Sequence, residues 1–359
     1  MATAGLANPW TPSARRRKPA RLMERVEESG NWMPDELAGT DAWVYRLDDR
    51  EIADVLDAVA GVEFLGLDIR DVGRADFPLP VLAPALADIK AELMEGRGFA
   101  LIRGLPVEGR SAYQNIAAYW GISTHIGRAF SQNAEGHLLG HVIDQGQTVK
   151  TANGRGYRSS ERLNYHADGC DVVSLFVLRL AKAGGEHRLC SSVALYNEML
   201  RRRPELAEAL TYYFYCTRRG EIPVGESKPW FRQPVFSVQD GYFAARGASN
   251  TILRGAKLPG IPPLTDDQQE AINTYQSLAQ ELSIAVDFEP GDIEYAQSHV
   301  TLHARTAVED WPEPERKRHL MRLLLKVDEG ARPLIPEIAR EIDRGILVDG
   351  AVPSVPLAP

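Results

Sequence analysis

The chain has 359 residues, 44% of them hydrophobic and 25% charged, an ordinary globular composition that can bury a large core and excludes disorder as the default state. A formal net charge of −8 and a pI near 5.6 leave no global positive field for nucleic acid or an anionic membrane, which favours a small-molecule partner. Three cysteines without paired spacing (Cys170, Cys190, Cys216) and the absence of any apolar run of the ~18 residues a membrane span needs point to a cytoplasmic, reducing setting.

In chain order, residues 1–30 read as a flexible tail, because the basic cluster Arg15 to Lys18 sits between Pro12 and Pro19. Residues 31–345 read as a single catalytic domain whose N-terminal part is helical decoration, and residues 346–359, with three prolines from Val352 onward, as a C-terminal tail. Helices are expected at Asp49–Ala60 and Val81–Glu95, the second with Leu82, Leu86, Ile89 and Leu93 at three- and four-residue steps. The apolar run Gly98–Arg103, closed by Gly104, predicts a buried strand, and Ala112–Trp120 a further helix. From Leu138 onward strand-like segments dominate: Leu138–Ile143, Val172–Leu180, Thr211–Thr217, Val235–Val238, Tyr242–Arg246, Ile284–Phe288, Ile293–Ala296 and His319–Val327. Their number predicts a mainly β sandwich or barrel with flanking helices, and the absence of βαβ alternation excludes a doubly wound sheet. One helical insertion, near 265–283, opens with the capping box Thr265-Asp-Asp-Gln268, which suits a jelly roll interrupted by helices.

The chemistry begins at Leu163-Asn-Tyr-His-Ala-Asp168. Residues two apart on a strand share a face, so His166 and Asp168 can offer an imidazole and a carboxylate to one ion. Far downstream, Ser298-His-Val-Thr-Leu-His-Ala-Arg305 adds His303 after the strand Ile293–Ala296. Two histidines and one carboxylate make the facial triad of non-haem iron oxygenases, with three octahedral positions left open. A lone His-x-Asp pair is weak, since such a histidine is more often structural. The pair Arg318 and Arg322 adds weight: they share a strand face among Leu320, Leu323, Leu324 and Leu325, and a buried guanidinium needs an anion that a dicarboxylate would supply.

Taken together, Gly96-Arg-Gly-Phe-Ala-Leu-Ile-Arg-Gly-Leu-Pro106, Tyr165-His-Ala-Asp168, Ala183-Gly-Gly-Glu186, Leu302-His-Ala-Arg305 and Arg318-His-Leu-Met-Arg322 occur in an order that resembles the taurine dioxygenase family of iron(II)/2-oxoglutarate oxygenases. The resemblance spans about Leu93 to Val327. It implies a double-stranded β-helix (jelly-roll) core, Fe(II) held by His166, Asp168 and His303, and 2-oxoglutarate and O2 as cosubstrates. It further implies that Arg318 pairs with the distal carboxylate of 2-oxoglutarate, a task suited to a bidentate guanidinium, and that Arg322 is a nearby active-site arginine that meets an anionic substrate or braces the cosubstrate. The implied reaction is hydroxylation of a small carboxylate- or amino-acid-like molecule with release of succinate and CO2. Desaturation or cyclisation by the same opening steps, and a non-catalytic metal- or ligand-binding barrel, are the alternatives, and a homo-oligomer is compatible with either.

One departure stands out: where the family often places a threonine or serine after the Gly-Gly-acid motif, this chain has His187. Either His187 takes over as donor to the cosubstrate, which is preferred, or Ser191 or Ser192 does. Weaker substrate candidates are Arg305, Arg246 and Asn164; Arg305 has a plain alternative in an ion pair with Glu309 or Asp310, Arg246 in a rim salt bridge, and Asn164 adjoins the metal pair and is a candidate to line the pocket. His125, His137 and His141 lack ligand spacing and read as structural, and Tyr212 to Tyr215 as part of a strand.

Overall fold

The computed structural model describes residues 8–148 and 154–359. Its centre is a pair of sheets. The larger has seven strands in the order Val44–Arg46, Phe99–Arg103, Ile293–Gln297, Val172–Arg179, His319–Lys326 and Arg128–Ala129, with Leu139–Val142 also paired to His319–Lys326. The smaller runs Ser283–Val286, His187–Ser191, Thr301–Arg305, Leu163–His166, every neighbour antiparallel. The chain passes repeatedly between them: Val172–Arg179 is followed by His187–Ser191 in the other sheet, and Ile293–Gln297 by Thr301–Arg305.

Alternation along the strands explains why the large sheet is apolar on both faces. Phe99, Leu101, Val173, Ala296 and Leu324 point inward, where they meet Leu189 and Val286 of the small sheet and Trp32 and Trp43. Their neighbours Ala100, Ile102, Phe176, Ile293 and Leu323 point outward into a second core. The helices Asp49–Leu65, Ala83–Glu95 and Ala112–Thr124 cover that face through Val55, Val59, Leu86, Ile89, Ile116 and Tyr119, all buried. Asp48 and Ser111 cap two of these helices with the capping boxes their sequences carry. The helices Ser192–Arg202 and Asp266–Glu281 back the small sheet through Leu195, Tyr196, Tyr275 and Leu278.

The expected segments occur with shifted ends, and three differences bear on the site. His303 does not trail the strand Ile293–Gln297; it lies on a strand of its own, Thr301–Arg305, in the opposite sheet. Only Phe214–Thr217 of the predicted Thr211–Thr217 is strand, leaving Tyr212 and Tyr213 exposed. The helices Ser192–Arg202 and Pro336–Arg344 and the strand His187–Ser191 were not expected at all. Of the two segments read as tails, residues 8–30 lie along the body, with Ala20 N donating to Gly241 O and Met23 N to Tyr196 Oη, while residues 1–7 fall outside the described residues. At the other end Leu138 N donates to Ser354 O. Among the described residues no helix is long and apolar enough to cross a membrane.

Candidate metal centre

His166 and His303 are direct partners across the antiparallel pair formed by Leu163–His166 and Thr301–Arg305, and their ring centroids lie 4.2 Å apart. The strand ends at His166, so Asp168 stands in the loop just beyond it. Arg246 Nη2 pins that loop by donating to Asp168 O at 2.8 Å. Gly247 lets the chain come this close: a Cβ there would meet His166 Cα at 2.7 Å and Ala167 N at 2.8 Å. One ligand atom from each of His166, Asp168 and His303 lies within 4.8 Å of the others, a cluster able to hold a metal ion.

The protonation states suit that use. His166 Nδ1 donates to Asn164 O at 2.7 Å, since a carbonyl can only accept, so Nε2 keeps its lone pair for a ligand bond. Burial pushes the His166 imidazole below its ordinary pKa, and burial followed by the neighbouring His166 pushes His303 much further down, so both rings are neutral. Burial alone would raise Asp168, but the Arg322 guanidinium beside it holds its carboxyl well below the usual range. His303 Nδ1 is buried with no hydrogen-bond partner among the described residues.

The triad opens on a cavity of about 290 Å³ between the sheets. Arg318, Leu320, Arg322 and Leu324, alternate positions along one strand and its entry, all line it. Arg322 is well anchored: Nε donates to Gln132 Oε1 at 3.0 Å, Nη1 lies 3.4 Å from Asp168 Oδ1, and the guanidinium stacks over Tyr157 at 4.6 Å. Arg318 differs. Its backbone N donates to Asp310 Oδ1, yet its guanidinium has no hydrogen bond or ion pair among the described residues, and burial followed by the charge of Arg305 pushes it down to about 9. A charged, desolvated fork without a partner among the described residues is able to seat a carboxylate.

His187 lines the same cavity, its ring stacked between Phe288 and His303, with Nε2 2.8 Å from Glu294 Oε1. Ser191 is committed elsewhere: its Oγ donates to Gly30 O and accepts from Ala194 N as the cap of the following helix. Arg305 reaches the cavity, but neither Glu309 nor Asp310 pairs with it; Nη2 donates to Ser159 O and Glu161 O. Arg246 is buried against the Asp168 loop and forms no rim salt bridge among the described residues. Asn164 is exposed at the cavity mouth. Tyr165, on the opposite strand face from His166, is core, with its hydroxyl on Ser283. The sequence reading missed Gln132, Tyr157 and Arg219. Nothing in the local sequence marks Gln132 or Tyr157, whereas Arg219 stands before a glycine at the end of a strand, a turn signal with a charge in it.

A family model described as taurine catabolism dioxygenase TauD, TfdA family matches residues 65–324. Among curated proteins, FR-33289 synthase of Streptomyces rubellomurinus is 30% identical over 318 residues, 86% of this chain and 92% of that protein. The taurine hydroxylase-like protein SAT17 of Stachybotrys chartarum is 29% identical over 90% of this chain and 86% of its own length. Among solved structures, an asparagine oxygenase in complex with Fe(II), 2S,3S-3-hydroxyasparagine and succinate superposes with a TM-score of 0.61 at 18% identity, covering 79% of this chain and 93% of that one.

Proposed function

This chain belongs to the taurine catabolism dioxygenase TauD, TfdA family, and from that premise we propose that it hydroxylates a small carboxylate- or amino-acid-like molecule, with Fe(II), 2-oxoglutarate and O2 as its reactive partners. The observation that carries the reading is one cavity holding both the cluster His166, Asp168, His303 and the unpartnered guanidinium of Arg318. The donor set fits ferrous iron: two neutral imidazoles and one carboxylate, converging from one strand pair and its adjoining loop. Bound there, iron with 2-oxoglutarate and O2 supplies the chemistry that turns a substrate C–H into C–OH while 2-oxoglutarate goes to succinate and CO2. We read the two facing sheets, between which the chain passes repeatedly, as a double-stranded β-helix, and residues 31–345 as one catalytic unit.

The chain's own residues then divide the work. His166 and His303 offer neutral nitrogens, and Asn164 O fixes which nitrogen of His166 is free. Asp168 offers a carboxylate kept ionised by Arg322, and Arg246 holds its loop by the backbone. Arg318 would grip the distal carboxylate of 2-oxoglutarate, and His187, its Nε2 2.8 Å from Glu294 Oε1, lines the same cavity where the family often has a hydroxyl residue. Leu175, Leu320 and Leu324 line the cavity with apolar surface, which keeps water away from the reacting centre. The asparagine oxygenase relative, with its hydroxylated amino acid, and the taurine hydroxylase-like one support a small polar substrate and hydroxylation as the outcome. The test is an anaerobic titration of 2-oxoglutarate into the Fe(II)-loaded protein, followed by a screen of candidate acids for substrate-stimulated succinate release. Formation of a metal-to-ligand absorption band is expected, and its absence with iron bound would refute the reading.

A further inference from the structure

Among the described residues the cavity is lined by eight arginines against three carboxylates, an excess of cations far beyond what one 2-oxoglutarate can balance. Most of the cations are engaged. Arg155 pairs with Glu221, Arg218 with Glu341, and Arg322 with Asp168, while Arg305 and Arg246 are bonded to backbone carbonyls. Besides Arg318, one further guanidinium makes no hydrogen bond or ion pair among the described residues, that of Arg219. The two do not share surroundings. The charges acting on Arg318 are those of Arg305 and Asp310, whereas Arg219 feels Arg155, Arg254, Glu221 and Asp168, and its own charge reaches Asp168 and His166. Arg219 thus lines the cavity that holds the metal cluster, and its charge acts on Asp168 and His166, whereas Asp168 is not among the charges acting on Arg318.

Its backbone is set for this purpose. Arg219 has φ +53°, a left-handed conformation that a long side chain seldom takes, and its N–H is held by Thr217 Oγ1 at 3.0 Å. Its neighbour Arg218 lines the same cavity but is engaged in its pair with Glu341. We propose that Arg219 seats an oxyanion group of the primary substrate, making that substrate a net anion whose acidic end meets Arg219 and not Arg318. This rests on the oxygenase reading above. Carboxylate, sulfonate and phosphonate all match the planar fork of a guanidinium. A zwitterionic amino acid fits less well: its ammonium would need a carboxylate, and the three that line the cavity are already paired with Arg322, Arg155 and Arg218.

The test is calorimetric titration of methylphosphonate and, separately, ethylammonium into the anaerobic holoenzyme loaded with Fe(II) and saturating 2-oxoglutarate. Wild type is compared with Arg219→Lys, which keeps the charge without the fork, and Arg219→Asn, which loses the charge but tolerates the left-handed backbone. Wild type should bind methylphosphonate and not ethylammonium. Arg219→Asn should bind methylphosphonate at least about tenfold more weakly, the least expected for a lost charge-assisted pair, and Arg219→Lys should fall between. The 2-oxoglutarate affinity, titrated on its own, should be the same in all three. Equal methylphosphonate affinity in Arg219→Asn, tighter binding of ethylammonium, or no methylphosphonate binding by wild type overturns the proposal. A matching loss of 2-oxoglutarate affinity in Arg219→Asn also overturns it, by giving Arg219 to the cosubstrate. A wild type that binds methylphosphonate through Arg219 but no 2-oxoglutarate leaves the anion seat standing and removes the oxygenase reading instead.

Discussion

Arg322 Nη1 sits 3.4 Å from Asp168 Oδ1 and 3.5 Å from Oδ2, with its Nε bonded to Gln132. An arginine so placed is occupied with the carboxylate proposed as a metal ligand before any substrate or cosubstrate arrives. Its removal should therefore act first on the metal. Arg322→Ala is expected to weaken Fe(II) binding by roughly 10- to 100-fold, the range for partners that orient a ligand, as read by anaerobic iron titration. If iron affinity holds while 2-oxoglutarate affinity collapses, Arg322 serves the cosubstrate instead.

On the proposed assignment, replacing His303 by alanine removes one of the three ligands, the register partner of His166, so iron binding and succinate formation should both disappear. The same holds for His166→Ala and Asp168→Ala. Near-normal iron affinity in His303→Ala, measured at equilibrium, would sink the assignment of the cluster.

Arg318→Lys keeps a positive charge but loses the two-pronged grip on a carboxylate. The KM for 2-oxoglutarate should rise about tenfold or more while Fe(II) affinity stays put, since Arg318 does not touch the cluster. An unchanged KM would move the cosubstrate's distal carboxylate to another of the cavity's arginines.

How much of this was legible beforehand follows from the range of each interaction. His166 and Asp168 were readable because their spacing is local, and Arg318 and Arg322 because a parity argument along one strand places both in the cavity. Long segments with plain periodicity, such as Ala83–Glu95 and Val172–Arg179, stood out for the same reason. The strand His187–Ser191 did not: it has one charged position and ends on a serine that caps the next helix, a choice set by pairing with Thr301–Arg305 and Ser283–Val286. Gln132 and Tyr157 meet Arg322 only through tertiary contacts across 190 and 165 residues of chain, and no local pattern reports that. The engagement of Arg305 and Arg246 with backbone carbonyls was hidden likewise, because the carbonyls belong to distant loops.

Gly247 tests whether the close approach at the ligand strand matters. A methyl group in Gly247→Ala would press on the backbone of His166 and Ala167, which cannot swing aside as a side chain can. The expected cost is about 1–3 kcal/mol of stability, as for overpacked cores, together with weaker iron binding because His166 is displaced. Thermal unfolding and iron titration on the same sample check both. Full iron affinity in a destabilised Gly247→Ala would show that the Gly247 loop yields and the ligand strand does not.

The last prediction concerns acid. His141 Nε2 lies 2.9 Å from Pro356 O, and its Nδ1 lies 2.8 Å from His319 Nε2, while His319 Nδ1 lies 3.3 Å from Arg179 Nη2. A carbonyl only accepts and a guanidinium only donates, so the protons are assigned: Arg179 donates to His319, His319 to His141, and His141 to Pro356. Both rings must be neutral for this chain to stand. Burial, then the neighbouring His141, pushes His319 down to about 3, and burial lowers His141 as well. In the unfolded chain both titrate near ~6.5. Below that pH the unfolded state binds protons that the native state refuses, so stability is complete above about 6.5 and falls as the pH drops toward 3, by up to ~1.4 kcal/mol per pH unit for each group. His125, His166, His299 and His303 are lowered too and add to the same limb, so the comparison must isolate one histidine. His319→Gln keeps a donor and an acceptor but cannot titrate. Urea unfolding should find it less stable than wild type at pH 7.5, yet losing clearly less stability between pH 6.5 and pH 5. Parallel losses in the two proteins across that interval would mean that His319 takes up its proton in the native state and that the relay from Arg179 to the C-terminal segment does not hold it neutral.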